Sequence, residues 1–141
     1  MDYINAKEKA IKYRGISKKT SHEVAKKLKM IGVEEEIITK VIEYLEELGY
    51  IDDIDYVKSY IRQNIKMLKY SVYELKQKLL QKGIKASIIE MNFESDLPSS
   101  YEYEVVNKLK MSKLKNYDDS KIREYLYRRG FKLDNLGEIY E

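Results

Sequence analysis

Apolar residues recur along this chain at spacings of three and four, and the stripes they draw predict helices rather than strands. The pattern also repeats. Registered on Gly32, Gly83 and Gly130, three segments place Leu28, Leu79 or Leu126 four residues before the glycine, Val24, Leu75 or Ile122 eight before, and Val33, Ile84 or Phe131 one after. Twelve before stands Thr20, Ser71 or Asp118, each a good helix N-cap, and Thr20 with Glu23 and Ser71 with Glu74 read as capping boxes. Each unit therefore holds a capped helix stopped by a glycine at the C′ position, where the backbone enters the left-handed region.

Around that signature each unit predicts three helices. The first unit reads as Ile4–Gly15, Ser21–Ile31 and Glu34–Leu48, the last with apolar Ile37, Ile38, Val41, Ile42, Leu45 and Leu48 behind an acidic first turn. In the second unit the apolar faces are Tyr56, Tyr60, Ile61, Ile65 and Leu68, then Val72, Leu75 and Leu79, then Ile84, Ile88, Ile89 and Phe93. Glu94-Ser95-Asp96-Leu97-Pro98 reads as a linker. Ser99 with Glu102 reads as a further capping box, opening a third unit whose apolar positions are Val105, Val106, Leu109, Ile122, Leu126, Leu133, Leu136 and Ile139. The expected architecture is all-α: three tandem three-helix repeats over residues 1–52, 53–97 and 98–141, stacked as an elongated, curved array and monomeric.

Composition narrows the chemistry. The 141 residues include no Cys and one His, His22, which excludes thiolate sites, disulfides and His-rich zinc sites. One Pro and six Gly leave few helix breakers. No Walker loop, nucleophile elbow or Gly-x-Gly-x-x-Gly occurs, and Asp52-Asp53, Asp118-Asp119 and Glu34-Glu35-Glu36 read as helix N-termini. No enzyme, metal or cofactor is expected. The N-terminus lacks an apolar signal core and no stretch approaches a membrane span, so a cytoplasmic location is expected.

Charge sorts by element although the total is only +3. Lys7 to Lys29 carries nine bases and two acids, Glu34 to Asp53 eight acids and one base, Lys58 to Lys85 eight bases and one acid, and Lys108 to Lys132 nine bases and three acids. The first two helices of every unit are basic, a recurring surface for a polyanion or for the acidic groove of a protein partner. Lys26, Lys27, Lys66, Lys69, Lys78, Lys82, Arg123, Arg128 and Arg129 are the candidate contact residues. Lysine outnumbers arginine 22 to 5, which favours point-charge docking over base-specific reading. Of the 14 tyrosines, Tyr44, Tyr56, Tyr60 and Tyr125 read as core or boundary, whereas Tyr50, Tyr70 and Tyr117 at helix junctions are contact candidates.

Three phrases carry a resemblance: Ser17-Lys-Lys-Thr-Ser-His-Glu-Val-Ala-Lys-Lys-Leu28, Leu48-Gly-Tyr-Ile-Asp-Asp53 followed by Tyr56-Val57, and Tyr73-Glu-Leu-Lys-Gln-Lys-Leu-Leu-Gln-Lys-Gly-Ile84. In that order and spacing the chain resembles the RecX family of RecA regulators over residues 6 to 93, and more loosely beyond. The resemblance implies a non-enzymatic modulator that lies in the groove of the RecA filament on single- or double-stranded DNA and usually inhibits recombinase activity. Where the family often carries a Gly-Pro-Arg-Arg-like stretch, this chain has Met67-Leu-Lys-Tyr-Ser-Val-Tyr73. The rival expectation is an autonomous helical protein that binds DNA without sequence preference.

Overall fold

A computed structural model of the chain describes residues 1–132 and builds them entirely from α-helices and their connections, with no strand among the described residues. The helices are α1 (Tyr3–Arg14), α2 (Ser21–Met30), α3 (Glu35–Glu47), α4 (Asp53–Met67), α5 (Val72–Gln81), α6 (Ala86–Asp96), α7 (Tyr101–Met111) and α8 (Asp119–Arg128). They form two complete three-helix units and the first two helices of a third. Leu133, Leu136 and Ile139, expected on a ninth helix, lie outside the described residues.

The local rules are obeyed where the repeat signature is strongest. Thr20 and Ser71 accept from the N–H of Glu23 and Glu74, and both capping boxes close. Gly32, Gly83 and Gly130 have φ of 89°, 81° and 85°, so a left-handed residue ends each middle helix. Behind each glycine the N–H of Val33, Ile84 or Phe131 donates back to Leu28, Leu79 or Leu126, which turns the following apolar side chain into the core.

Burial divides the molecule in two. In the first unit α1, α2 and α3 pack on one another around Ala6, Ala10, Val24, Leu28, Val41 and Leu45, with the small alanines letting α1 approach closely. The second and third units instead share a continuous core in which Ile61, Leu75, Leu79 and Ile89 meet Tyr101, Val105, Leu114 and Leu126.

Two local expectations fail, each for a tertiary reason. Ser99 does not cap α7: the N-cap is Ser100, in right-handed helical conformation with no side-chain cap bond, and Glu102 is buried and drawn elsewhere. Nor is 94–98 a linker throughout, because α6 continues to Asp96, whose carboxylate pairs with Lys58 at 3.1 Å, while Leu97 packs on the shared core. Leu97 is extended, as a residue preceding proline prefers, so the break falls just before Pro98.

Candidate partner-binding surface

The units are joined by a polar junction built twice from equivalent residues. At the first joint the Thr20 hydroxyl donates to the Lys82 carbonyl at 2.7 Å, and at the second the Ser71 hydroxyl donates to the Arg129 carbonyl at 2.7 Å. Each hydroxyl thus serves two helices, accepting within its own cap and donating to the carbonyl just before the next unit's glycine. The capping-box glutamates are shared in the same way: Lys82 Nζ lies 3.3 Å from Glu23, and the Arg129 guanidinium reaches Glu74 at 2.7 Å. Free N–H groups at the start of α2 and α5 are met by carboxylates from the following unit, Ser21 N–H by Asp53 at 2.8 Å and Val72 N–H by Glu102 at 2.9 Å. Asp53 and Glu102 therefore act between units, not only at their own helix starts.

The joint glycines are also points of contact. A Cβ on Gly83 would lie 2.1 Å from the His22 ring, and one on Gly130 would lie 2.8 Å from Tyr73. His22 and Tyr73 occupy the same position in the first turn of α2 and α5. Gly32, which has no unit before it, has open space at that position.

At the first joint this arrangement holds open a cleft of about 740 Å³ between α2 on one side and α4 and α5 on the other. Of the nine expected contact residues, Lys26, Lys27, Lys78 and Lys82 line it together with Tyr13, Tyr56, Tyr60 and Tyr70. Among the described residues no ion pair joins a carboxylate to Lys26, Lys27 or Lys78. Lys27 Nζ sits 5.8 Å over the Tyr13 ring and Lys78 Nζ 4.4 Å over Tyr70, close enough for cation–π attraction. Lys82 is tied to Glu23: burial opposes ionisation there, but the Thr20 N–H and the Lys82 ammonium hold the Glu23 carboxyl below its usual range. The same bond and charge raise the Lys82 ammonium above its ordinary value.

The other five fall elsewhere. Lys66 and Lys69 line a second groove with Lys108, whose ammonium donates to the Met67 carbonyl at 2.7 Å. Arg128 pairs with Glu124 one turn earlier on the outer face of α8, where Arg123 is also exposed. Arg129 is 19% exposed at its side chain, and its guanidinium is spent on Glu74, the Lys69 carbonyl and the Tyr125 hydroxyl. Burial lowers the tendency of Arg129 to stay charged, but the Glu74 carboxylate outweighs it and raises its pKa. Of the expected contact tyrosines, Tyr50 and Tyr117 are exposed and Tyr70 lies in the cleft wall against the shared core.

Two buried polar atoms in cleft-lining residues have no hydrogen-bond partner among the described residues, the Tyr60 hydroxyl and the Asn64 side-chain oxygen. Burial pushes the Tyr60 phenol up to about 12, so it stays protonated and able to donate. Sequence reasoning passed over Asn64 because a polar residue on an apolar stripe left no local signal. Among the described residues no three His, Cys, Asp or Glu converge as a metal site, and no helix is long and apolar enough to cross a membrane.

Tandem three-helix units locked by a repeated cap-to-carbonyl joint, with an open cleft beside the first joint, define an all-α repeat protein. Two family models match in register, that of the RecX first three-helix domain over residues 6–45 and that of the RecX second three-helix domain over 52–91. The chain is 33% identical over 140 residues to the regulatory protein RecX of Caldanaerobacter subterraneus subsp. tengcongensis, covering 96% of this chain and 71% of that one. It is 36% identical over 128 residues to regulatory protein RecX of Streptococcus agalactiae, covering 84% of this chain but only 48% of that longer protein. A crystal structure of regulatory protein RecX superposes with a TM-score of 0.84 at 26% identity, covering 98% of this chain and 71% of that one. The RecX crystal structure from Lactobacillus salivarius, at 24% identity, shares the fold with a TM-score of 0.85 over 98% of this chain and 94% of that one. This protein belongs to the RecX family.

Proposed function

We propose that this protein is a cytoplasmic, non-enzymatic regulator that inhibits the RecA recombinase, binding the groove of the RecA–DNA filament through the basic helices of three units spanning 1–52, 53–97 and 98–141. The observation that carries the reading is the cleft at the first joint, where Lys26, Lys27 and Lys78 converge from two units while the cleft's carboxylate, Glu23, is paired with Lys82. Regulators of this family are named as such, and a regulator needs docking charge rather than a reaction centre. Lys66, Lys69, Arg123 and Arg128 extend the basic surface along the array, so several weak contacts can add across neighbouring protomers of a filament. Arg129 contributes by holding the third unit in register.

The test is binding of the labelled protein to single-stranded DNA with and without the organism's RecA and a non-hydrolysable ATP analogue, across a salt series. Binding that requires the assembled filament, weakens with salt and falls on reversing Lys26, Lys27 and Lys78 is the expected result. Equal binding to bare DNA would replace this reading with that of an autonomous DNA-binding protein.

A further inference from the structure

The cleft at the first joint has a chemistry more specific than positive charge. Its lysines stand on α2 and α5, but its rims carry methionines, Met30 at 74% exposure and Met67 at 38%. Methionine is a flexible apolar side chain that adapts to a partner's apolar anchor, and it offers nothing to a phosphate. Of the cleft's four tyrosine rings, Tyr13 and Tyr70 lie under Lys27 and Lys78, and Tyr56 and Tyr60 pack on the shared core.

We infer that the cleft between α2 and α4–α5 is a receptor for a short acidic segment of a protein partner carrying an apolar anchor residue. The segment's carboxylates meet Lys26, Lys27 and Lys78, and its anchor lies between Met30 and Met67. This rests on the reading of the basic face as the partner-binding surface and adds what that surface recognises. Point charges on flexible lysines suit an acidic stretch without fixed geometry, and the adaptable methionines suit an anchor of variable shape.

The experiment uses the whole chain and no filament. Fluorescence anisotropy is read for a labelled decapeptide of Asp and Glu around a central Leu-Phe, for the same peptide with Asn and Gln in place of the acids, for one with Ala-Ala in place of Leu-Phe, and for a labelled oligothymidylate. The acidic, anchored peptide is expected to bind in a salt-dependent way, with both altered peptides weaker. The K27E/K78E protein is expected to lose about tenfold or more in affinity, whereas K9E/K12E, which makes the same charge change on α1 outside the cleft, loses far less. Absence of peptide binding, equal loss in both variants, or tighter binding of the oligonucleotide through Lys27 and Lys78 would overturn the inference. Filament binding that persists while the peptide fails removes this inference alone, and the reverse pattern removes the filament reading alone.

Discussion

The two joints share a polar frame and differ in what backs it. At the first, the bonds from Thr20, Ser21 and Glu23 to the second unit join modules with separate apolar cores, and an open cleft runs beside them. At the second, the equivalent bonds from Ser71, Val72 and Glu74 lie against a core that runs unbroken between units, with Tyr101 1% exposed and its hydroxyl donating to the Tyr70 carbonyl at 2.7 Å. One set of hydrogen bonds therefore performs two tasks. Backed by buried apolar surface it fuses units two and three, and without that backing it positions unit one while leaving a cleft open beside it.

The largest effect is expected from Tyr101→Ala, which removes a ring from the shared core and should cost about 3–5 kcal/mol in denaturant unfolding followed by circular dichroism. Tyr101→Phe, losing only the bond to Tyr70, should cost about 1 kcal/mol. Next is Gly83→Ala, where a left-handed backbone and the His22 ring act together; about 2–3 kcal/mol is expected, with part recovered when His22→Ala is added. Gly32→Ala faces the same backbone cost but open space, so about 1 kcal/mol is expected. Replacing the joint cations should separate the two interfaces further: Arg129→Ala should cost about 1–2 kcal/mol, and Lys82→Ala, whose side chain is 48% exposed, less than about 0.5 kcal/mol.

The smallest effect is a pH dependence. The Glu23 carboxyl titrates lower in the folded chain than in the unfolded one, so its contribution is present above the ordinary carboxylate range and is lost as pH falls through the folded value. Acid titration of stability should therefore be shallower in Glu23→Gln than in the parent protein. Equal slopes would mean that the first joint does not hold its glutamate ionised.

Helices, caps and C′ glycines were legible in the sequence because they depend on residues three to five apart. Thr20-x-x-Glu23 and Gly32 needed no knowledge of the rest of the chain. The joints were not, since Thr20 and Lys82 lie 62 positions apart and Ser71 and Arg129 lie 58 apart. Their trace was present all the same: a cation precedes the glycine in units two and three, Lys82 and Arg129, but Ile31 stands there in unit one. Glutamate follows the cap in units one and two, Glu23 and Glu74, where unit three has Lys121. Glu102 misled because Ser99-x-x-Glu102 satisfies a local rule, and the N–H groups of Val72 and Lys132 outcompete it. For the site, counting charge by helix found the lysines of the cleft but could not separate Arg129, spent within the fold, from Lys27 and Lys78, which face the opening.

Hydrogen exchange of the intact protein, resolved by helix, tests most directly whether the two joints differ as described. Buried amides of α1–α3 should exchange through an opening of lower free energy than those of α4–α8, which should share one common value across the second joint. A single value from α1 through α8, or a break between α6 and α7, would contradict the account.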